Sequence, residues 1–165
     1  MNIRALAIVV LLGLGIAWWF IHEDDETRVR DAHATLAELV SRTADDGRLS
    51  VLEIRTLQQM FAEPTVIAGD GEGLLGTWAP NDLAGVIVSA REVFPTLELA
   101  FENLAVTFPD PDEASSSFTA TLSAISERPE IEPLSEQRSV SGRMRRVDGE
   151  WRFTEFRLLP GTSRE

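Results

Sequence analysis

The hydrophobic period of this chain changes once, at Pro95, and that change decides the class of fold. Before it, apolar residues recur at helical spacing; after it, they alternate. Val29, Ala32, Leu36, Leu39, Val40 and Thr43 mark a first helix within Glu26–Thr43, with acidic residues at its start suiting the helix dipole and Asp45-Asp46-Gly47 breaking it. Ser50 and Glu53 have the spacing of a capping box. Leu52, Ile54, Leu57, Met60 and Phe61 give the second helix its apolar face, and Pro64 ends it. Pro80-Asn81-Asp82 opens a third helix carrying Leu83, Val86, Ile87, Ala90, Val93 and Phe94.

Two short strands, Thr65–Ala68 and Leu74–Trp78, are expected around the glycine-rich stretch 69–73. Beyond Pro95, Leu97, Leu99 and Phe101 share one face of a strand. Leu104, Val106 and Phe108 then take the opposite parity, which places a β-bulge at Asn103. After the turn at 109–112, Phe118, Ala120, Leu122 and Ala124 alternate with Ser and Thr. Residues 137–147 form a further strand, and Asp148-Gly149 turns it back into 151–159. Three helices with a short hairpin, then four long meandering strands, predict an α+β domain with helices on one face of a curved, mainly antiparallel sheet.

This order of elements resembles the nuclear transport factor 2-like, or SnoaL-like, cone-shaped superfamily, whose fold is also described as cystatin-like. The resemblance is carried by Leu97–Phe108, Phe118–Leu122 and the closing hairpin Val147–Phe153 with its Asp148-Gly149 turn and Trp151-Arg152 pair. It implies a conical pocket and a homodimer formed through the sheet. Members include isomerases, dehydratases, hydrolases, ligand carriers and non-catalytic modules, so the fold alone assigns no activity.

Enzymes of that superfamily use Asp, His, Tyr or Arg side chains projecting into the cone. A ketosteroid-isomerase arrangement requires a tyrosine, and this chain has none. His33 lies beside apolar helix positions and is read as a packed helix residue rather than a base. Period two puts Trp151, Phe153, Glu155 and Arg157 on one face, so Glu155 and Arg157 are expected to point into the cone, as an ion pair or a tuned base with an oxyanion-holding partner. Trp78 is placed at the pocket mouth. These three, Trp78, Glu155 and Arg157, are the candidate ligand-pocket residues; no catalytic residue is assigned.

Other signals have simpler readings. Gly71–Gly76 spells G-x-G-x-x-G, but no helix starts inside it, and Asp70 and Glu72 would repel a pyrophosphate. Asp110, Asp112 and Glu113 lack the closing glutamate of a calcium loop. Arg143, Arg145 and Arg146 read as cross-strand partners of glutamates, with Arg146 on the opposite face. No zinc spacing, nucleophile elbow or P-loop occurs, and no metal or cofactor is expected.

Residues 5–21 form an uncharged apolar run between Arg4 and the acidic stretch 23–26, long enough as a helix to cross a bilayer, with Trp18 and Trp19 at an interface. Gly15 and Ala17 offer a cleavage site after Ala17, but no A-x-A sequence occurs and the run exceeds a usual signal core. The expectation is an uncleaved anchor over 1–23 and an exported domain over 24–165. The protein would be a single-pass protein of the bacterial inner membrane, its C-terminal domain in the periplasm or outside the cell. All 15 basic residues are arginine, cysteine is absent, and beyond the run 14 arginines face 27 acidic residues. That balance argues against nucleic-acid partners and suits solubility.

Together these readings give a membrane-tethered, non-catalytic cell-envelope module for ligand binding or assembly. Its partners would be a second copy, a small hydrophobic ligand or an envelope protein. The alternative is a small-molecule isomerase, dehydratase or hydrolase using the cone.

Overall fold

The computed structural model describes residues 24–69, 74–128 and 131–160. The apolar run at 5–21, and with it the expected anchor, lies outside the described residues; among those, no helix is long and apolar enough to cross a membrane.

Helix α1 covers residues 24–40, followed by α2 (Val51–Gln59) and α3 (Pro80–Val93). The capping box of α2 forms as its sequence implies. Glu53 N–H donates to the Ser50 hydroxyl at 3.2 Å and Ser50 N–H donates to the Glu53 carboxylate at 2.7 Å. Proline occupies the first turn of α3, where its missing N–H costs nothing.

Six strands, β1 (Phe61–Gly69), β2 (Gly76–Trp78), β3 (Thr96–Asp110), β4 (Glu113–Ile125), β5 (Leu134–Val147) and β6 (Glu150–Leu158), form one sheet in the order β2-β1-β6-β5-β4-β3. All neighbours are antiparallel except β1 and β6, which run parallel. Phe61 begins β1 instead of extending α2, because α2 ends at Gln59 and the Met60 carbonyl accepts Phe153 N–H at 2.8 Å. Docking onto β6 overrides the local helical pattern there.

The bulge at Asn103 is present. Asn103 has φ 56°, the register slips between Glu102 and Ala105, and the Leu104 carbonyl accepts Arg30 Nη1 at 2.9 Å. Asp148 and Gly149 both have positive φ, the requirement of the tight turn joining β5 to β6.

Val29, Leu36 and Leu39 of α1 pack with Leu57, Met60, Phe61, Leu83, Met144, Trp151 and Phe153 in one core under the helices. Two polar devices fasten α1 at its ends. At its start, the buried Asp25 carboxylate pairs with Arg146 at 2.6 Å and accepts Trp151 Nε1 at 3.3 Å, while the Arg146 guanidinium lies 4.8 Å from the Trp151 ring centre. At its end, buried Arg91 of α3 donates to the Leu39 carbonyl at 3.1 Å and also to that of Ser41. A cation thus meets the negative end of the α1 dipole.

Candidate active site

The inner sheet face is set by alternation along β4, where Ala114, Ser116 and Phe118 stand opposite Met144, Gly142 and Val140 of β5. Ser116 is the polar member of that row. It fits because Gly142 has no side chain: a Cβ there would lie 2.6 Å from the Ser116 hydroxyl oxygen.

Above Ser116 sits His33 of α1, 1% exposed and one turn beyond Val29. Its Nδ1 lies 2.8 Å from the Val29 carbonyl oxygen. A carbonyl only accepts, so Nδ1 carries the proton and Nε2 keeps its lone pair. The Ser116 hydroxyl is 3.1 Å from Nε2 and donates to it. Phe101, Phe118 and Phe153 meet the imidazole edge-on, with ring centres 5.9, 5.2 and 4.9 Å away. Burial among these rings pushes the His33 pKa below its ordinary value. The Val29 hydrogen bond opposes that shift, and Arg30 reinforces it. The result is a neutral imidazole, fixed in one tautomer, with its proton-accepting nitrogen directed at a hydroxyl. This is the geometry of a base with an orienting partner, the carbonyl taking the place a carboxylate often holds.

Glu155 and Arg157 lie elsewhere. Met144 pairs with Phe153 and Arg143 with Glu155, so Thr154 is an extra residue on β6. This bulge inverts the parity that a regular strand would have. Trp151 and Phe153 face the core, and past the bulge Phe156, opposite Gly142, takes over that role. Glu155 and Arg157 therefore stand on the outer face, away from the cone. There Arg157 binds Glu155 at 2.9 Å, and Arg143 approaches the same carboxylate at 3.6 Å. Trp78 lies on β2, half-buried against the core, its Nε1 donating to the Leu74 carbonyl at 2.9 Å.

The signal for the Thr154 bulge was present in the sequence. The apolar residues switch from odd positions (151, 153) to even (156, 158), as they do around Asn103. The His33–Ser116 pair carries no such signal, because 83 residues separate its members and only the register of β4 brings them together.

No family model and no curated protein matches the chain. Solved structures do. Kfla4162 from Kribbella flavida is 14% identical with a TM-score of 0.68, covering 84% of this chain and 91% of its own. A hexachlorocyclohexane dehydrochlorinase, LinA type 2, is 14% identical at TM-score 0.62, covering 84% and 86%. A Streptomyces avermitilis protein assigned as a dehydratase of the NTF2-like family is 11% identical at TM-score 0.62, covering 86% and 99%. At these identities the likeness establishes the cone-shaped, NTF2-like α+β fold. It also corrects the expectation of a non-catalytic envelope module, because several of these neighbours are named as enzymes.

Proposed function

We propose that the chain is an enzyme that removes a proton from a small hydrophobic molecule inside the cone, with His33 Nε2 as the base. The observation that carries this reading is the fixed neutral tautomer of His33, whose Nε2 lone pair accepts the Ser116 hydroxyl among the Phe101, Phe118 and Phe153 rings. A base must be unprotonated at working pH, and burial keeps it so. Substrate would take the place of the Ser116 hydroxyl at Nε2, which costs one neutral hydrogen bond of about 1 kcal/mol.

Two of the enzymatic names among the neighbours, a dehydratase and a dehydrochlorinase, denote eliminations. In an elimination the base takes a C–H proton and that electron pair becomes the new double bond as chloride departs, or as a hydroxyl departs as water on receiving the proton back from the His33 imidazolium. The Phe101, Phe118 and Phe153 rings suit an apolar substrate skeleton. Here the Glu155–Arg157 pair plays no part in the chemistry.

The test is chloride release from hexachlorocyclohexane, together with deuterium uptake into cyclic ketones in heavy water, by the full chain. Turnover in either assay that falls at least 100-fold in His33→Gln supports the reading. No turnover in both, or turnover unaffected by the substitution, overturns it.

The apolar run at 5–21 supports placing this enzyme on the outer side of an inner membrane. Alkaline extraction and protease access in intact spheroplasts test that placement: a carbonate-extractable or protease-protected protein would contradict it.

A further inference from the structure

On the outer face of the sheet, away from His33, a groove of about 720 Å³ runs along β5 and β6 beside Ala62, Glu63 and Pro64 at the start of β1. Three arginines line it. Arg145 and Arg152 are direct cross-strand partners, and Arg143 is the next outward residue on β5. Like charges placed opposite each other across a ladder repel. Two of the three cations are answered: Arg145 binds Glu113 at 2.8 Å, and Arg143 lies 3.6 Å from Glu155. Arg152 is not. Among the described residues it has no carboxylate within ion-pair distance, and its Nε is buried with no hydrogen-bond partner. A buried, unpaired donor on a guanidinium is costly, and an oxyanion is the group that its fork geometry satisfies.

We infer that this groove is a binding site for a small oxyanion, a carboxylate or phosphate group, held by Arg152 with Arg145 beside it. Ser115 and Thr154 also line the groove, although the Thr154 hydroxyl already donates to the Arg143 carbonyl. Glu63 lines the opposite wall and makes no ion pair among the described residues, so it opposes the anion and limits its size and charge. The site is independent of the His33 chemistry, and binding there requires no turnover.

The experiment titrates the full chain, in neutral maltoside micelles at constant ionic strength, with inorganic phosphate and separately with succinate, chloride serving as the control. The readouts are the thermal midpoint and the Arg152 Nε–H resonance. A saturable rise in midpoint with movement of that resonance is expected, and the stronger of the two anions identifies the headgroup. Arg152→Gln should weaken binding at least 10-fold. Arg152→Lys, which keeps the charge and loses the fork, should fall in between, and Glu63→Gln should tighten it. The absence of a saturable response to both anions overturns the inference, as does a response unchanged in Arg152→Gln and Arg152→Lys. So does a dimer that Arg152→Gln dissociates while neither anion has an effect, since a second copy would then fill the groove.

Discussion

His33 illustrates how one residue's surroundings set its chemistry. In the unfolded chain it titrates near pH 6.5; in the fold, burial lowers that value. Between the two, the unfolded chain holds a proton that the folded chain does not, so stability falls as pH drops below about 6.5. Asp46 and Glu53 are also held below the usual carboxylate range, by hydrogen bonds from Thr43 and Ser50. Their stabilisation is present above about pH 4 and is lost below it, a separate and more acidic window. Urea unfolding from pH 4.5 to 8 should therefore show a decline below pH 6.5 that His33→Phe flattens. Gly142 makes the complementary point about space. Gly142→Ala drives a methyl against the Ser116 hydroxyl and should cost about 1–3 kcal/mol, read as a lower urea midpoint, with the loss partly restored by adding Ser116→Gly.

At the scale of elements, the polar fastenings of α1 matter more than its helix propensity. Removing the Asp25 carboxylate leaves the Arg146 guanidinium beneath α1 with only Asp112 at 3.4 Å, so Asp25→Ala should cost about 3 kcal/mol in chemical unfolding. Arg91→Met should have a comparable effect, because the Leu39 and Ser41 carbonyls lose their donor. Local rules made much of this architecture legible. The Ser50–Glu53 box, proline at the start of α3, the Asp148-Gly149 turn and the Asn103 bulge are each written in a few adjacent residues. What was not legible depends on partners distant in sequence. Phe61 leaves the helical pattern because β6 accepts it as a parallel neighbour. Glu155 and Arg157 are a different case: one extra residue in β6, Thr154, moves them off the predicted face, and the change of apolar parity from Phe153 to Phe156 already carried that signal locally.

As a whole molecule, the chain builds a curved six-stranded sheet whose inner face is almost entirely apolar and whose outer face carries paired charges. That partition explains why the ion pairs flagged by sequence pattern proved to be outer-face structure, while the chemistry collects at one imidazole beneath α1. The functional account rests on the fold delivering that imidazole neutral, with Nδ1 protonated and Nε2 free to accept. The most direct test is nitrogen-15 NMR of the histidine side chains in the full chain, titrated from pH 8 to pH 5. The account predicts that His33 shows the Nδ1–H tautomer and stays neutral at pH 6.5, with a midpoint below that of an exposed histidine. An Nε2–H tautomer, or an imidazolium already formed at pH 6.5, would contradict it, since neither leaves a lone pair in the cone to take a proton.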